Sequence, residues 1–343
     1  MELPMSADAA LRVFASRVVS ARSHVAANGA TDDAEEVIED HLFRFGVSSH
    51  QLEARLQMEA TIQSKIQRNP EEFEPPQATV ASTVPAGPAG LSNTSRTWAL
   101  SWLRRSMALA LPGQSGQECW FRMAAILDHL SGNSAEAANL GLVDGDHESL
   151  KVTSLAIASI VLKMDTIQRG GVDGVYWRLG VAGELKAQVS RRELEVLRVL
   201  DWWGAQQMQT VTSWAIMFRD RLSVLAVGDS SPSYFYLKMI HAAEFLVFTS
   251  RADAQLLPPH RLAGALLVLS FKDSGLLHLP SASAADDGLL EQLSWVIGAD
   301  VAELCTDPSS TDVMSVLEPA IRSHQSDASN LGQSPCARSF AAV

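Results

Sequence analysis

The sequence predicts an all-α protein made of two similar helical bundles, and three observations carry that prediction. Alternating apolar and polar residues, the signature of a half-buried strand, are almost absent. Two segments, 150–164 and 258–271, are apolar nearly all round, as a helix is when it runs through the middle of a bundle. They stand about 110 residues apart, and each follows an amphipathic, aromatic-rich stretch, so one structural unit is expected twice.

Taken in order, residues 1–48 form an N-terminal extension, helical over 6–27 and 32–45, the second stretch opening on acids that suit a helix N-terminus. Ser48-Ser49 caps a helix over 49–69 whose Leu52, Leu56, Ile62 and Ile66 recur at helical spacing until Asn69-Pro70 stops it. Residues 70–94 are rich in Pro, Glu, Ala, Gly and Ser and read as a linker. The first bundle, 95–204, holds helices near 95–110, 117–131, 148–165 and 189–202. A short irregular or helical piece falls around 172–184, where Gly170, Gly171 and Gly174 break anything longer. The second bundle, 205–304, holds helices near 209–227, 231–250, 258–271 and 286–303; Pro258-Pro259 opens the third, where a missing N–H costs nothing. Residues 305–343 read as a flexible tail.

Composition narrows the class. The chain has 343 residues and 47% apolar content, enough for two compact domains. Three cysteines without C-x-x-C spacing argue against a disulfide framework or a zinc site and for a reducing compartment. Met1-Glu2-Leu3-Pro4 has neither the basic nor the apolar part of a secretory leader, and the longest apolar runs are too short to cross a bilayer. A soluble intracellular protein, nuclear or cytoplasmic, is expected. The net charge of −12 speaks against non-specific nucleic-acid binding, and 91–305 holds 18 Lys and Arg against 22 Asp and Glu.

Catalytic and metal-binding patterns are missing. Asp144-Gly145-Asp146-His147-Glu148 lacks the glycine and the closing glutamate of a calcium loop. Gly170-Gly171-Val172-Asp173-Gly174 follows no strand and is no phosphate loop, and the histidines show no metal-ligand spacing. Gly228-Asp229-Ser230-Ser231 is no nucleophile elbow. The sequence therefore predicts no catalytic residue, no cofactor, no metal and no enzyme. Trp98, Trp102, Trp202, Trp203 and Trp214, at helical spacing, read as core.

Two charged residues stand out. The apolar helix over 150–165 offers Lys163 near its far end, and the amphipathic helix about thirty residues on carries Glu193. By itself such a Lys is ordinarily a partner for the helix dipole, and such a Glu is ordinarily solvated. The surrounding order of segments changes that reading, because from about residue 50 to 303 the chain resembles the cyclin family. Arg96-Thr97-Trp98-Ala99-Leu100-Ser101-Trp102 is similar to the start of a first cyclin box, Ala124 to Ser131 to its second helix, and Leu200-Asp201-Trp202 to the end of its fifth. Tyr234-Phe235 through Phe248 and the Pro258-Pro259 helix are similar to a second box. The resemblance implies the cyclin fold, two tandem five-helix bundles with an N-terminal helical extension. It implies that Lys163 and Glu193 grip a cyclin-dependent kinase, with Met164, Leu194 and Leu197 as apolar surround. It also implies that Arg96 and Asp128 form a structural salt bridge. The helix at 49–67 resembles the N-terminal helix of mitotic-type cyclins, which lies against the kinase.

The resemblance thus implies a regulatory subunit that activates a cyclin-dependent Ser/Thr kinase in cell-cycle control, with kinase substrates as further partners and neither nucleic acid nor membrane. The alternative is a cyclin-fold adaptor in transcription without a kinase. Trp98, Ala99, Trp102 and Arg105 fall where the family carries a patch that docks Arg-x-Leu motifs. Here Trp98, Ala99 and Arg105 replace the usual Ile, Leu and Glu, and the added positive charge of Arg105 implies weak or altered docking.

Overall fold

In the computed structural model the described residues are 42–43, 47–68, 91–111, 114–132, 134–167, 174–200, 209–225, 231–249, 257–277, 284–306, 314–315 and 317–318. They are helical with turns and contain no strand, so the protein is all-α over these residues. The helices are α1 (Ser49–Arg68), α2 (Asn93–Ala110), α3 (Gln114–Gly132), α4 (Ser134–Asn139), α5 (His147–Ile167), α6 (Val175–Arg178) and α7 (Gly183–Val199). There follow α8 (Val211–Leu225), α9 (Ser231–Thr249), α10 (Pro259–Asp273), α11 (Ala284–Ile297) and α12 (Val301–Thr306). None is long and apolar enough to cross a membrane. The chain divides into two compact units, 58–210, and 1–57 together with 211–343. The helices expected over 6–27 and most of 32–45 lie outside the described residues, as does the expected linker 70–94 up to residue 90; its last residues belong to α2, which Ser92 caps and Asn93 begins.

The unit 58–210 is organised around α5, which touches α2, α3, α6 and α7. Every residue of α5 from Thr153 to Leu162 is buried, as its unbroken apolar run requires. Some polar atoms along this core are matched, whereas the Ser154 and Ser159 hydroxyls of α5 are buried without a hydrogen-bond partner among the described residues. Thr153 Oγ1 donates to Leu140 O, and Trp120 Nε1 donates to Leu100 O at 3.0 Å, tying α3 to α2. Arg96, 4% exposed, forms a two-pronged pair with Asp128: Nε donates to Oδ1 at 2.6 Å and Nη2 to Oδ2 at 2.7 Å. That fork fixes the crossing of α2 and α3 with matched planar geometry. At the head of α2, Ser92 caps the helix by accepting the Ser95 N–H, and its own N–H donates to Asp144 at 2.7 Å.

Two features of this unit differ from expectation. The 131–149 connection contains α4, and α7 begins at Gly183, six residues before the expected 189, with Glu184 in its first turn. The piece around 172–184 contains the single turn α6. Trp98 is 37% exposed, against the expectation that it lies in the core, and rests on the His147 ring at 5.4 Å. Trp202 and Trp203 lie outside the described residues, Trp102 is half-buried, and Trp214 of the other unit is fully buried.

In the other unit α10 is the buried helix, from Leu262 through Phe271, and packs on α8, α9 and α12. His260 belongs to its core: its Nε2 meets Ile297 O at 2.8 Å between the rings of Trp214 and Phe218. Burial lowers its pKa, outweighing the hydrogen bond to Ile297, so the ring stays neutral near pH 7. Lys238 of α9 is 0% exposed and donates from Nζ to Asp273 Oδ2 at 2.6 Å and to Ser274 Oγ at 3.2 Å, with the Tyr234 ring centroid 5.0 Å away. The single helix expected over 286–303 is two, because Gly298 takes φ 74° and ends α11.

The N-terminal segment is packed into this unit. Leu42 and Val47 are buried, and Ser48 begins α1 with a reciprocal cap in which the Gln51 side chain bonds back to Ser48 N–H. Arg221, 1% exposed, donates to Val47 O and to Trp295 O, both at 2.9 Å, with its guanidinium 4.1 Å from the Trp295 ring centroid. Leu52 is buried beside Gly298, so the first half of the apolar stripe on α1 covers the chain's own residues. The side chains of Ile62 and Ile66 are outside the described set. The tail is also partly packed, contrary to its reading as flexible: Leu317 is 0% exposed, and Glu318 lies 3.6 Å from Lys272.

Gly298 tests this account of α1. A Cβ there would sit 2.7 Å from Leu52 Cδ2, on a backbone that L side chains rarely adopt. Gly298→Ala should therefore destabilise the protein by about 1 kcal/mol or more. Gly132→Ala, where a Cβ meets nothing within 4 Å, should be neutral or stabilising by up to about 1 kcal/mol. Urea unfolding of the two variants measures the contrast.

Candidate functional site

A helix buried on all sides must meet water at its end, and α5 does so at Lys163. The side chain is 26% exposed, against none for Leu162 before it. On α7 the residues Val189, Glu193 and Val196 form the buried stripe at helical spacing that faces α5. Glu193 thus lies among packed residues, and its side chain is only 9% exposed. This corrects the expectation of a solvated Glu.

The two side chains meet: Lys163 Nζ donates to Glu193 Oε2 at 2.5 Å. A third residue closes the group. Tyr176 of α6 donates its hydroxyl hydrogen to Glu193 Oε1 at 2.9 Å and accepts from Lys163 Nζ at 3.1 Å. Both carboxylate oxygens are thereby engaged, and the Tyr176 ring lies 4.6 Å from Lys163 Nζ and 5.4 Å from Lys186 Nζ. Burial works against the Lys163 ammonium, but the hydrogen bonds from Glu193 and Tyr176 outweigh it and raise the pKa above the ordinary lysine value. The ammonium is therefore held charged at neutral pH. The result is a fixed donor and a fixed acceptor side by side at the rim of a core, suited to main-chain groups of another protein.

The residues expected around the pair are on the same elements. Met164 and Leu197 are half-buried, and Leu194 is 47% exposed beside Glu193. The four residues of the degenerate docking patch do not share one surface. Ala99 is fully buried and Trp102 packs half-buried near Leu155 and Val189, while Trp98 and Arg105 are exposed. Ala99 is thus a core residue and is corrected as a member of any docking surface. Among the described residues no group of three or more His, Cys, Asp or Glu could hold a metal ion. Asp144 and Asp146 instead serve backbone amides at Ser92 and Ser149.

Tyr176 was not among the residues singled out in the sequence. The signal for it was indirect: a short apolar stretch, Val175-Tyr176, bracketed by glycines, with Val175 and Val181 anchoring it at 2% and 4% exposure. Searches of family models, of curated proteins and of solved structures find no match to this chain.

Because Glu193 is buried, removing only its cation leaves a carboxylate with poor solvation. Lys163→Ala should cost about 1–3 kcal/mol of stability, more than an exposed pair would. Replacing both residues by apolar ones, Lys163→Met with Glu193→Leu, should cost less than that single change. A double-mutant cycle in urea measures both.

The raised Lys163 pKa also sets a pH dependence. A folded-state pKa above the unfolded one gives stability that is complete below the ordinary value of 10.5 and is lost as pH rises through the folded value. Thermal unfolding from pH 8 to 12 should show wild type falling above about pH 10.5 more steeply than Lys163→Met. Parallel curves would show that Lys163 is not held in this way.

Proposed function

We propose that this chain is a cyclin-type regulatory subunit that binds and activates a Ser/Thr protein kinase of the cyclin-dependent class. The observation that carries the reading is the Lys163–Glu193 contact: two residues 30 positions apart, joined at 2.5 Å where the buried helix of one bundle comes to the surface. The order of sequence segments resembling two cyclin boxes, and the Arg96–Asp128 fork between α2 and α3, support the same reading.

In this reading the chain contributes no catalytic group. The pair holds main-chain atoms of the kinase's mobile helix, and Met164, Leu194 and Leu197 exclude water around it. Binding favours the arrangement in which the kinase's own Lys, Glu and Mg²⁺ sites are assembled. Recognition of main chain makes the contact strict in position while tolerating different side chains on the partner.

The test is a panel of purified monomeric cyclin-dependent kinases, each assayed for peptide phosphorylation with and without the purified chain. One or more members should be activated at least about 100-fold, equivalent to roughly 3 kcal/mol of transition-state stabilisation. The K163A/E193A variant should lose that activation while still unfolding cooperatively. Absence of binding and activation across the panel, or normal activation by the variant, would sink the proposal.

A further inference from the structure

The turn α6 is held on every side. Gly174 at its start and Gly180 at its end take φ 93° and 67°, the left-handed backbone that favours glycine. Val175 and Val181 are buried, Val181 N–H donates to Tyr176 O at 2.8 Å, and the Tyr176 hydroxyl is bonded to both Lys163 and Glu193. On this fixed turn stands Trp177, 82% exposed. Its indole adds nothing to its own core, and a tryptophan carries some 150–250 Å² of surface that is favourable to bury. A rigid mount and a large exposed aromatic are the two properties of an interface anchor, since little side-chain freedom is lost on binding.

The surroundings indicate what it meets. Arg178 follows it on the same turn and is exposed, as is Lys186, whose Nζ lies 5.4 Å from the ring centroid of Tyr176. With Glu184, exposed in the first turn of α7, the corner carries two cations against one carboxylate, a local positive excess in a chain of net charge −12. A second copy of so acidic a protein, or an anionic membrane, would be repelled by the chain as a whole. A protein pocket rimmed by carboxylates would be attracted locally.

We infer that Trp177 is an anchor of the partner interface, inserting into an apolar pocket rimmed by carboxylates on the kinase catalytic subunit, with Arg178 and Lys186 meeting that rim. The inference rests on the proposed function: Lys163 and Glu193 fix the position of main chain, and Trp177 supplies buried apolar area beside them.

Affinity for the catalytic subunit picked out by the activation panel tests it, measured by calorimetry and by stopped-flow association at low and moderate salt. Trp177→Ala should weaken binding at least about tenfold with an unchanged unfolding midpoint, and Trp177→Phe should fall between it and wild type. Arg178→Glu with Lys186→Glu should slow association and flatten its salt dependence. If Trp177→Ala binds within twofold of wild type while K163A/E193A does not bind, the anchor is refuted and the functional reading stands. A Trp177-dependent dimer in sedimentation, or Trp177-dependent binding to phosphatidylserine vesicles, would assign the surface to another occupant and overturn the inference. Failure of wild type to bind any kinase of the panel removes both.

Discussion

Burial of α5 is the constraint from which the rest of the unit 58–210 follows. Ten successive residues, Thr153 to Leu162, are buried, so α2, α3, α6 and α7 must cover the helix on all sides. Such a helix ends with main-chain carbonyls pointing at whatever lies beyond it, and a cation there is favoured by the dipole. Lys163 provides it. Its ammonium emerges between α6 and α7, where Glu193 and Tyr176 complete its hydrogen bonding. The same packing that makes the core therefore places a charged pair at its mouth.

The second unit repeats this chemistry with the opposite exposure. Lys238 meets a carboxylate, a hydroxyl and a tyrosine ring, as Lys163 does, but its side chain is fully enclosed, against 26% exposure for Lys163. A sealed group of this kind ties α9 to the end of α10 and offers nothing to another molecule. The open group keeps one side to solvent. The two groups differ in access alone, since the donors and acceptors are nearly the same.

Much of the fold was legible because its strongest signals are local. The two all-round apolar runs marked α5 and α10, the serine before α1 marked its cap, and Pro258-Pro259 marked the start of α10. The misses have physical causes. α7 starts at Gly183, ahead of the expected 189, because a glycine carries no helix-forming signal of its own. Glu193 is buried where a glutamate is ordinarily solvated, and the spacing of Val189, Glu193 and Val196 carries the signal of that buried stripe. Tyr176 could not be found by periodicity at all, since its partners lie 13 and 17 positions away on other helices. Ala99 and Trp98 exchanged the exposures expected of them, because which face of α2 turns inward is decided by α3 and α5 and not by α2 itself.

The hold that Arg221 keeps on the carbonyl of Val47 also sets an order of events during synthesis. The two residues are 174 positions apart. At about 5–20 residues per second, Val47 is made roughly 10–35 s before Arg221. Trp295, which accepts the other arm of the guanidinium, comes later still. Throughout that interval Leu42, Val47 and Leu52 have none of their final neighbours from beyond residue 210. The segment 42–52 is thus among the last described parts of the chain to reach its native place, and its apolar side chains stay uncovered until residues beyond 210 are available.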